Sequence, residues 1–322
     1  MKAFQVVRPR VFESVEVDRP RLEGAQILVR TEWVALCGSD IPFWTGIRSR
    51  QEYPLAPGAP VHECVGVVEE SRSARFCPGD RVLAIPDGNR GLAEWFPARP
   101  EKAVVLPDGL GDPGAACLIQ PLSTVMSAID RLGDIRGKAV GIVGLGPMGL
   151  LLGWYAAARG AGPVAGVDPC ADRCLLAGEL GLARTFPSRS VELAAAVRSS
   201  GGAWDPPDIC IEAVGHQMQT INDCLELVRP YGTVVAFGVP DRPVYALEYE
   251  IFFRKNAALV STVTPDWADY LARARDLYLE NTEALAPLAQ PRLHVEEVRE
   301  AYEMYERHDR GALKVVLDAR SW

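Results

Sequence analysis

Short apolar runs broken by turn residues fill the first hundred or so positions. "QILVRTEWVAL" (26–36), "ECVGVVEE" (63–70) and "DRVLAIP" (80–86) read as strands, with "CPGD" and "PDGN" as turns between such runs. That rhythm predicts a small β-barrel or sandwich. From about residue 110 the pattern changes: "PLSTVMSAIDRL" (121–132) has helical spacing, and "KAVGIVG" (138–144) is a continuous apolar run. "PVAGVD" (163–168), "DICIEAV" (208–214) and "GTVVAFGVP" (232–240) follow, separated by helix-length segments. Apolar strands alternating with helices predict a parallel sheet covered on both faces. The end, "VEEVREAYEMYERHDRGALKVVLDAR", reads as an amphipathic helix, a glycine stop and one more strand. The expected fold is α/β with two domains, one of residues 1–125 and 265–322 and one of residues 126–264.

A chain of 322 residues is too long for one ordinary core, which supports two domains. Hydrophobic residues make up 48% and charged residues 24%, a globular balance. A net charge of −8 with mixed signs argues against a nucleic-acid partner or an anionic membrane surface. The start, "MKAFQVVRPR", has no apolar signal region, so a cytoplasmic location is expected. The most apolar run, "AVGIVGLGPMGLLLGWYAAA", carries five glycines and a central proline, which make it a poor membrane span. None of the eight cysteines forms a CxxC pair, so thiols are expected, most of them as small buried apolar groups. Cys170 and Cys174 stand four apart on a helix face without a nearby third ligand, and packing is the expectation there.

The apolar run has a better explanation in G-x-G-x-x-G at Gly144, Gly146 and Gly149. The motif follows a strand and opens a helix, the context that dinucleotide binding needs. The first glycine permits the turn, the second lets a pyrophosphate approach the backbone, and the third allows close strand–helix packing. Pro147 and Met148 complete that turn, and Val214 and Gly238 end later strands expected to border the cofactor. Asp168 lies 19 residues past Gly149 at the end of the next strand, where its carboxylate suits ribose hydroxyls and repels a 2′-phosphate. NAD is therefore expected over NADP, although Arg173 leaves a phosphate partner available. His216 is expected to touch the cofactor from its loop, and His294 and His308 to be surface residues.

Cys37 and, 25 residues on, His62 and Glu63 supply thiolate, imidazole and carboxylate. A catalytic zinc uses three such groups and leaves one position open. Together the motifs resemble the zinc-dependent medium-chain dehydrogenases, closest to the branch containing sorbitol, threonine and glucose dehydrogenases. The resemblance runs through "ALCGSD", "VHECVGVVEE", "CPGDRV", "LIQPLSTV", "GLGPMG" and "IEAVGHQ". It implies a GroES-like β-barrel joined to a Rossmann domain, with zinc and nicotinamide meeting between them. It implies Cys37 and His62 as zinc ligands, Glu63 as ligand or swing-in partner, Ser39 as proton relay and Asp40 as the group orienting His62 or fixing the turn. The substrate implied is a sugar, cyclitol or polyol, and the assembly a homodimer or homotetramer paired through Rossmann edge strands.

Four positions depart from that family's pattern. Gln120 replaces a glutamate ligand, Pro42 replaces a relay histidine, and Val61 replaces a glycine. The stretch "AIPDGNRGLAEW" (84–95) lacks the four cysteines of a structural zinc, so one zinc is expected. Phe43, Trp44 and Trp95 are either walls of the substrate pocket or core packing. Two alternatives stay open: a zinc-free quinone-type reductase, and a non-catalytic NAD-binding protein of the same fold.

Overall fold

The computed structural model describes residues 1–47, 51–200, 204–262, 265–307 and 312–322. His308 and Gly311, the expected glycine stop, lie outside the described residues. The chain divides into two compact units, residues 1–123 with 266–322, and residues 124–265.

The first unit opens with an antiparallel hairpin of β1 (Lys2–Arg8) and β2 (Val11–Glu16). β3 (Ile27–Ala35) is its central strand, buried along nearly its whole length. β4 (Glu63–Ser71) runs antiparallel to it, with Ala35 opposite Glu63. That register sets the turn after β3 beside the start of β4. Gly66 is required there, because a Cβ would stand 2.1 Å from the Arg30 carbonyl across the pair. β5 (Arg81–Ala84) extends the sheet from β4, β6 (Trp95–Ala98) pairs with β3, and β7 (Ala103–Val105) pairs with β5.

The chain passes to the second unit inside the helix Ile119–Asp130. There β8 (Val140–Val143), β9 (Val164–Val167), β10 (Arg184–Phe186), β11 (Ile209–Glu212), β12 (Thr233–Ala236) and β13 (Ala258–Ser261) form one parallel sheet. Its order is β10-β9-β8-β11-β12-β13, the doubly wound arrangement whose order reverses beside the first strand. The long apolar run is thus β8, the glycine turn and the helix Pro147–Ala158, most of whose residues are buried. Among the described residues no helix is long and apolar enough to cross a membrane.

Returning to the first unit, helix Trp267–Glu280 starts at Asp266, whose carboxylate accepts from Ala268 N. β14 (Arg292–His294) pairs parallel with β15 (Val316–Asp318), and β15 pairs antiparallel with β3, placing Val316 opposite Ala35. Helix Val298–Arg307 buries Val298, Ala301 and Tyr302 in the barrel core with Val34, Leu36, Trp44 and Phe96.

Two of the three aromatics considered as pocket walls take other places. Trp44 is fully buried, 5.4 Å from the Tyr302 ring, because its short helix turns that face into the barrel. Trp95 stands opposite Arg30, five residues or roughly 17 Å of strand before Ala35. Its indole donates to Glu69 Oε2 (3.1 Å), and its ring lines a separate cleft of about 410 Å³ with Met1, Val17 and Pro57. Phe43 packs against the barrel core with part of its surface exposed.

Candidate functional site

The chain leaves β3 at Leu36 and enters one turn of 3-10 helix at Gly38–Asp40, followed by the helix Ile41–Thr45. Pro42 stands in the first turn of that helix, where a missing N–H costs nothing. Asp40 is 1% exposed and does two things. Its Oδ2 accepts from Cys37 N at 2.9 Å, closing the turn, and its Oδ1 lies 3.2 Å from His62 Nδ1. With Nδ1 facing the Asp40 carboxylate, Nε2 is the imidazole nitrogen left for a metal. Burial pulls the His62 pKa down, but Asp40 and Cys37 outweigh it and raise it well above the usual value.

Metal-ligand atoms of Cys37, His62 and Glu63 all lie within 4.8 Å of one another. A thiolate beside an imidazole and a carboxylate suits zinc, and sulfur disfavours magnesium or calcium. Glu63 is buried, and its Oε1 accepts from Lys314 Nζ at 2.8 Å while its Oε2 has no hydrogen-bond partner among the described residues. An unsatisfied carboxylate oxygen beside a thiol and an imidazole is what a cation would complete, so the residues fit a metal. Burial raises the Glu63 pKa, and the positive charge of Lys314 works against it. For Lys314, burial alone lowers the pKa, but attraction to Glu63, Cys37 and Tyr305 carries it upward, so it is held charged.

Ser39 lies half-buried between Cys37 and Asp40. Gln120 is 5% exposed at the start of its helix. Cys117, three residues before it, feels the charges of Glu63 and Lys314, so this segment runs beside the cluster.

In the second unit the three glycines have different reasons. Gly144 has φ +93°, and a Cβ there would meet Val214 Cγ2 at 2.6 Å. At Gly149 a Cβ would stand 1.8 Å from the Gly144 carbonyl. Around Gly146, by contrast, a Cβ would meet nothing within 4 Å. Packing explains the outer two, while the open space over Gly146, at the N-terminus of a 12-residue helix, fits an approaching pyrophosphate.

Asp168 braces the same turn. Its Oδ2 accepts from Leu145 N and its Oδ1 from Cys170 N, both at 2.8 Å. Each oxygen retains a lone pair for a ribose hydroxyl. Arg173 Nη1 lies 3.9 Å from that carboxylate. Cys174 is buried, its thiol 3.4 Å from the Asp168 carbonyl, a packing role. Gly238 is fixed by close approach, since a Cβ would stand 2.2 Å from Gly215 N. His216 has φ +52° and donates its N–H to the Val239 carbonyl at 2.9 Å.

Two residues escaped the sequence reading. Glu212 is buried, and its Oε1 accepts from Val214 N, Gly215 N and Thr220 Oγ1, each at 2.9 Å. It thereby fixes Val214 against Gly144. Lys314 had a signal: a lone lysine inside the apolar stretch "ALKVVL", just before β15, is a candidate for a buried, paired charge.

Residues 23–115 match the alcohol dehydrogenase GroES-like domain, and residues 147–279 match the zinc-binding dehydrogenase family. The chain belongs to the zinc-dependent medium-chain dehydrogenases, built as a GroES-like barrel unit and a Rossmann unit. It is 29% identical to a probable zinc-binding alcohol dehydrogenase of Mycobacterium tuberculosis, over 76% of this chain and 70% of that one. With D-xylulose reductase of Scheffersomyces stipitis it shares 26% identity over 94% of each chain. Among solved structures, alcohol dehydrogenase TADH from Thermus sp. ATN1 superposes with a TM-score of 0.84 at 26% identity, over 99% of this chain and all of that one.

Proposed function

We propose that this protein is a zinc-dependent oxidoreductase that moves hydride between NAD(H) and a secondary alcohol or ketone, with a sugar, cyclitol or polyol as substrate. The observation that carries this reading is the convergence of Cys37, His62 and Glu63 within 4.8 Å, with one Glu63 oxygen unsatisfied. Cys37, His62 and Glu63 Oε2 would hold the zinc and leave the fourth position open, with the Gln120 amide oxygen as the donor that would fill it when no substrate is bound. Bound zinc supplies Lewis acidity that eases loss of the substrate's hydroxyl proton, and the nicotinamide supplies the hydride acceptor.

The chain's own residues do the rest. Asp40 keeps His62 in one tautomer and orientation. Ser39 takes the substrate's hydroxyl proton. Since Pro42 cannot accept one, the proton leaves through the cofactor ribose to solvent, or through Glu63. Gly146 and the helix behind it bind the pyrophosphate, and Asp168 receives the adenosine ribose. The pairing of Arg173 with Asp168 favours NAD over a 2′-phosphorylated cofactor. A polyhydroxylated substrate is supported by the likeness to a D-xylulose reductase.

The assembly in this reading is a homodimer or homotetramer that covers the free edge of β13. Leu259 on that strand is 44% exposed, and nearby in sequence Tyr249 and Phe253 are 65% and 67% exposed. An apolar edge strand left bare invites pairing. Eight free thiols agree with a cytoplasmic location.

The test is metal content by elemental analysis on protein purified without chelator, for the parent and Cys37→Ser, followed by an NAD-linked screen of polyols and sugars. One zinc per chain, lost with Cys37→Ser, together with turnover is the expected result. NAD binding without metal or turnover would sink the reading in favour of a non-catalytic NAD-binding protein. Turnover without metal would favour a quinone-type reductase.

A further inference from the structure

Lys314 and Glu63 are each 1% exposed, 251 residues apart in sequence, and joined at 2.8 Å. Lys314 Nζ also donates to the Leu36 carbonyl at 3.2 Å, and Leu36 N donates to the Val315 carbonyl at 3.0 Å. The lysine is thus locked in register beside the Cys37 turn, because β15 pairs with the end of β3. Its ammonium engages Glu63 Oε1, and among the described residues Oε2 meets no donor.

We infer that Lys314 is a positioning residue that competes with the metal for Glu63 and so sets how tightly the centre holds its ion. The inference rests on the zinc reading above. A buried carboxylate must be compensated, and here a fixed ammonium does so whether or not a metal is bound. Glu63 is then a shared ligand: drawn to Lys314 through Oε1, available to the metal through Oε2. The lysine charge also opposes a divalent ion nearby. Both effects lower metal affinity and keep Cys37 and His62 as the principal anchors. Without Lys314, a bound metal takes over the compensation that the ammonium gave Glu63.

The experiment is zinc affinity by chelator competition on the full chain, with the rise in Tm on saturation with zinc as a second readout. The variants are Lys314→Met, Lys314→Arg, Glu63→Gln and the pair Lys314→Met with Glu63→Gln. Lys314→Met is expected to bind zinc at least tenfold more tightly than the parent and to gain more in Tm from it, even if its metal-free form is unstable. Lys314→Arg should stay within a few-fold of the parent. The double variant, which removes both charges and should fold, is expected to gain clearly less over Glu63→Gln than Lys314→Met gains over the parent, since only the repulsion is left to relieve.

Parent-like or weaker binding by Lys314→Met overturns the inference. So does an equal gain on the Glu63→Gln background, which would trace the effect to simple repulsion. A parent chain that binds no zinc overturns the zinc reading itself and this inference with it, an outcome distinct from the other two.

Discussion

Replacing Gly146 with alanine should weaken cofactor binding while leaving stability nearly unchanged. The residue has φ −66° and ψ −176°, which alanine adopts without strain, and its Cβ would meet no protein atom within 4 Å. Alanine restricts the unfolded chain more than glycine does, worth about 0.4–1 kcal/mol. Gly146 is, however, the N-cap of the helix Pro147–Ala158, where alanine is the poorer residue by a comparable amount, so Tm should stay close to the parent's. The same methyl would occupy space the reading gives to the pyrophosphate. Pushing a phosphate off the amide donors costs roughly the 1.5–3 kcal/mol of a charged hydrogen bond, or about 10- to 100-fold in Kd for NAD. Calorimetric titration with NAD and a thermal melt on the same sample measure both effects. Gly149→Ala is the contrast, because its Cβ would overlap the Gly144 carbonyl at 1.8 Å and cost stability by about 1–3 kcal/mol or more. A Gly146→Ala variant that binds NAD as the parent does refutes the assignment of that space to a ligand.

Asp40→Asn keeps the shape of the turn but removes the charge beside His62, and zinc affinity should fall about 10- to 100-fold with little change in Tm; unchanged affinity in a chelator titration would contradict the orienting role. Ser39→Ala should lower kcat and alter its pH dependence, and a pH–rate profile identical to the parent's would remove Ser39 from the proton route. Leu259→Lys places a charge on the exposed β13 edge and should shift the assembly towards smaller species in light scattering. An unchanged mass would place the interface elsewhere.

The sequence determined the class of each unit because burial leaves a periodicity. Strands covered on both faces, such as β8 and β11, are continuous apolar runs and stand out without any structure. The glycine motif was equally legible, since its spacing and its strand–helix context are local. β10 and β13 were harder: each lies at a sheet edge, with mostly exposed or half-buried residues, and β10 ("RTF") carries no apolar run at all. Cys37, His62 and Glu63 were readable as ligand types, and the Ala35–Glu63 register is what brings them into reach. Three things were decided by tertiary structure alone. Trp44 went into the core and Trp95 to a separate cleft because side-chain facing depends on the bend after β3 and on which end of β3 is paired. Glu212 became the brace of the dinucleotide turn only when helix Gln219–Leu227 brought Thr220 back to it. Lys314 met Glu63 across 251 residues because β15 closes the barrel beside β3. Periodicity records whether a residue is buried, but the partner it is buried against is set by long-range strand order, and local sequence does not carry that.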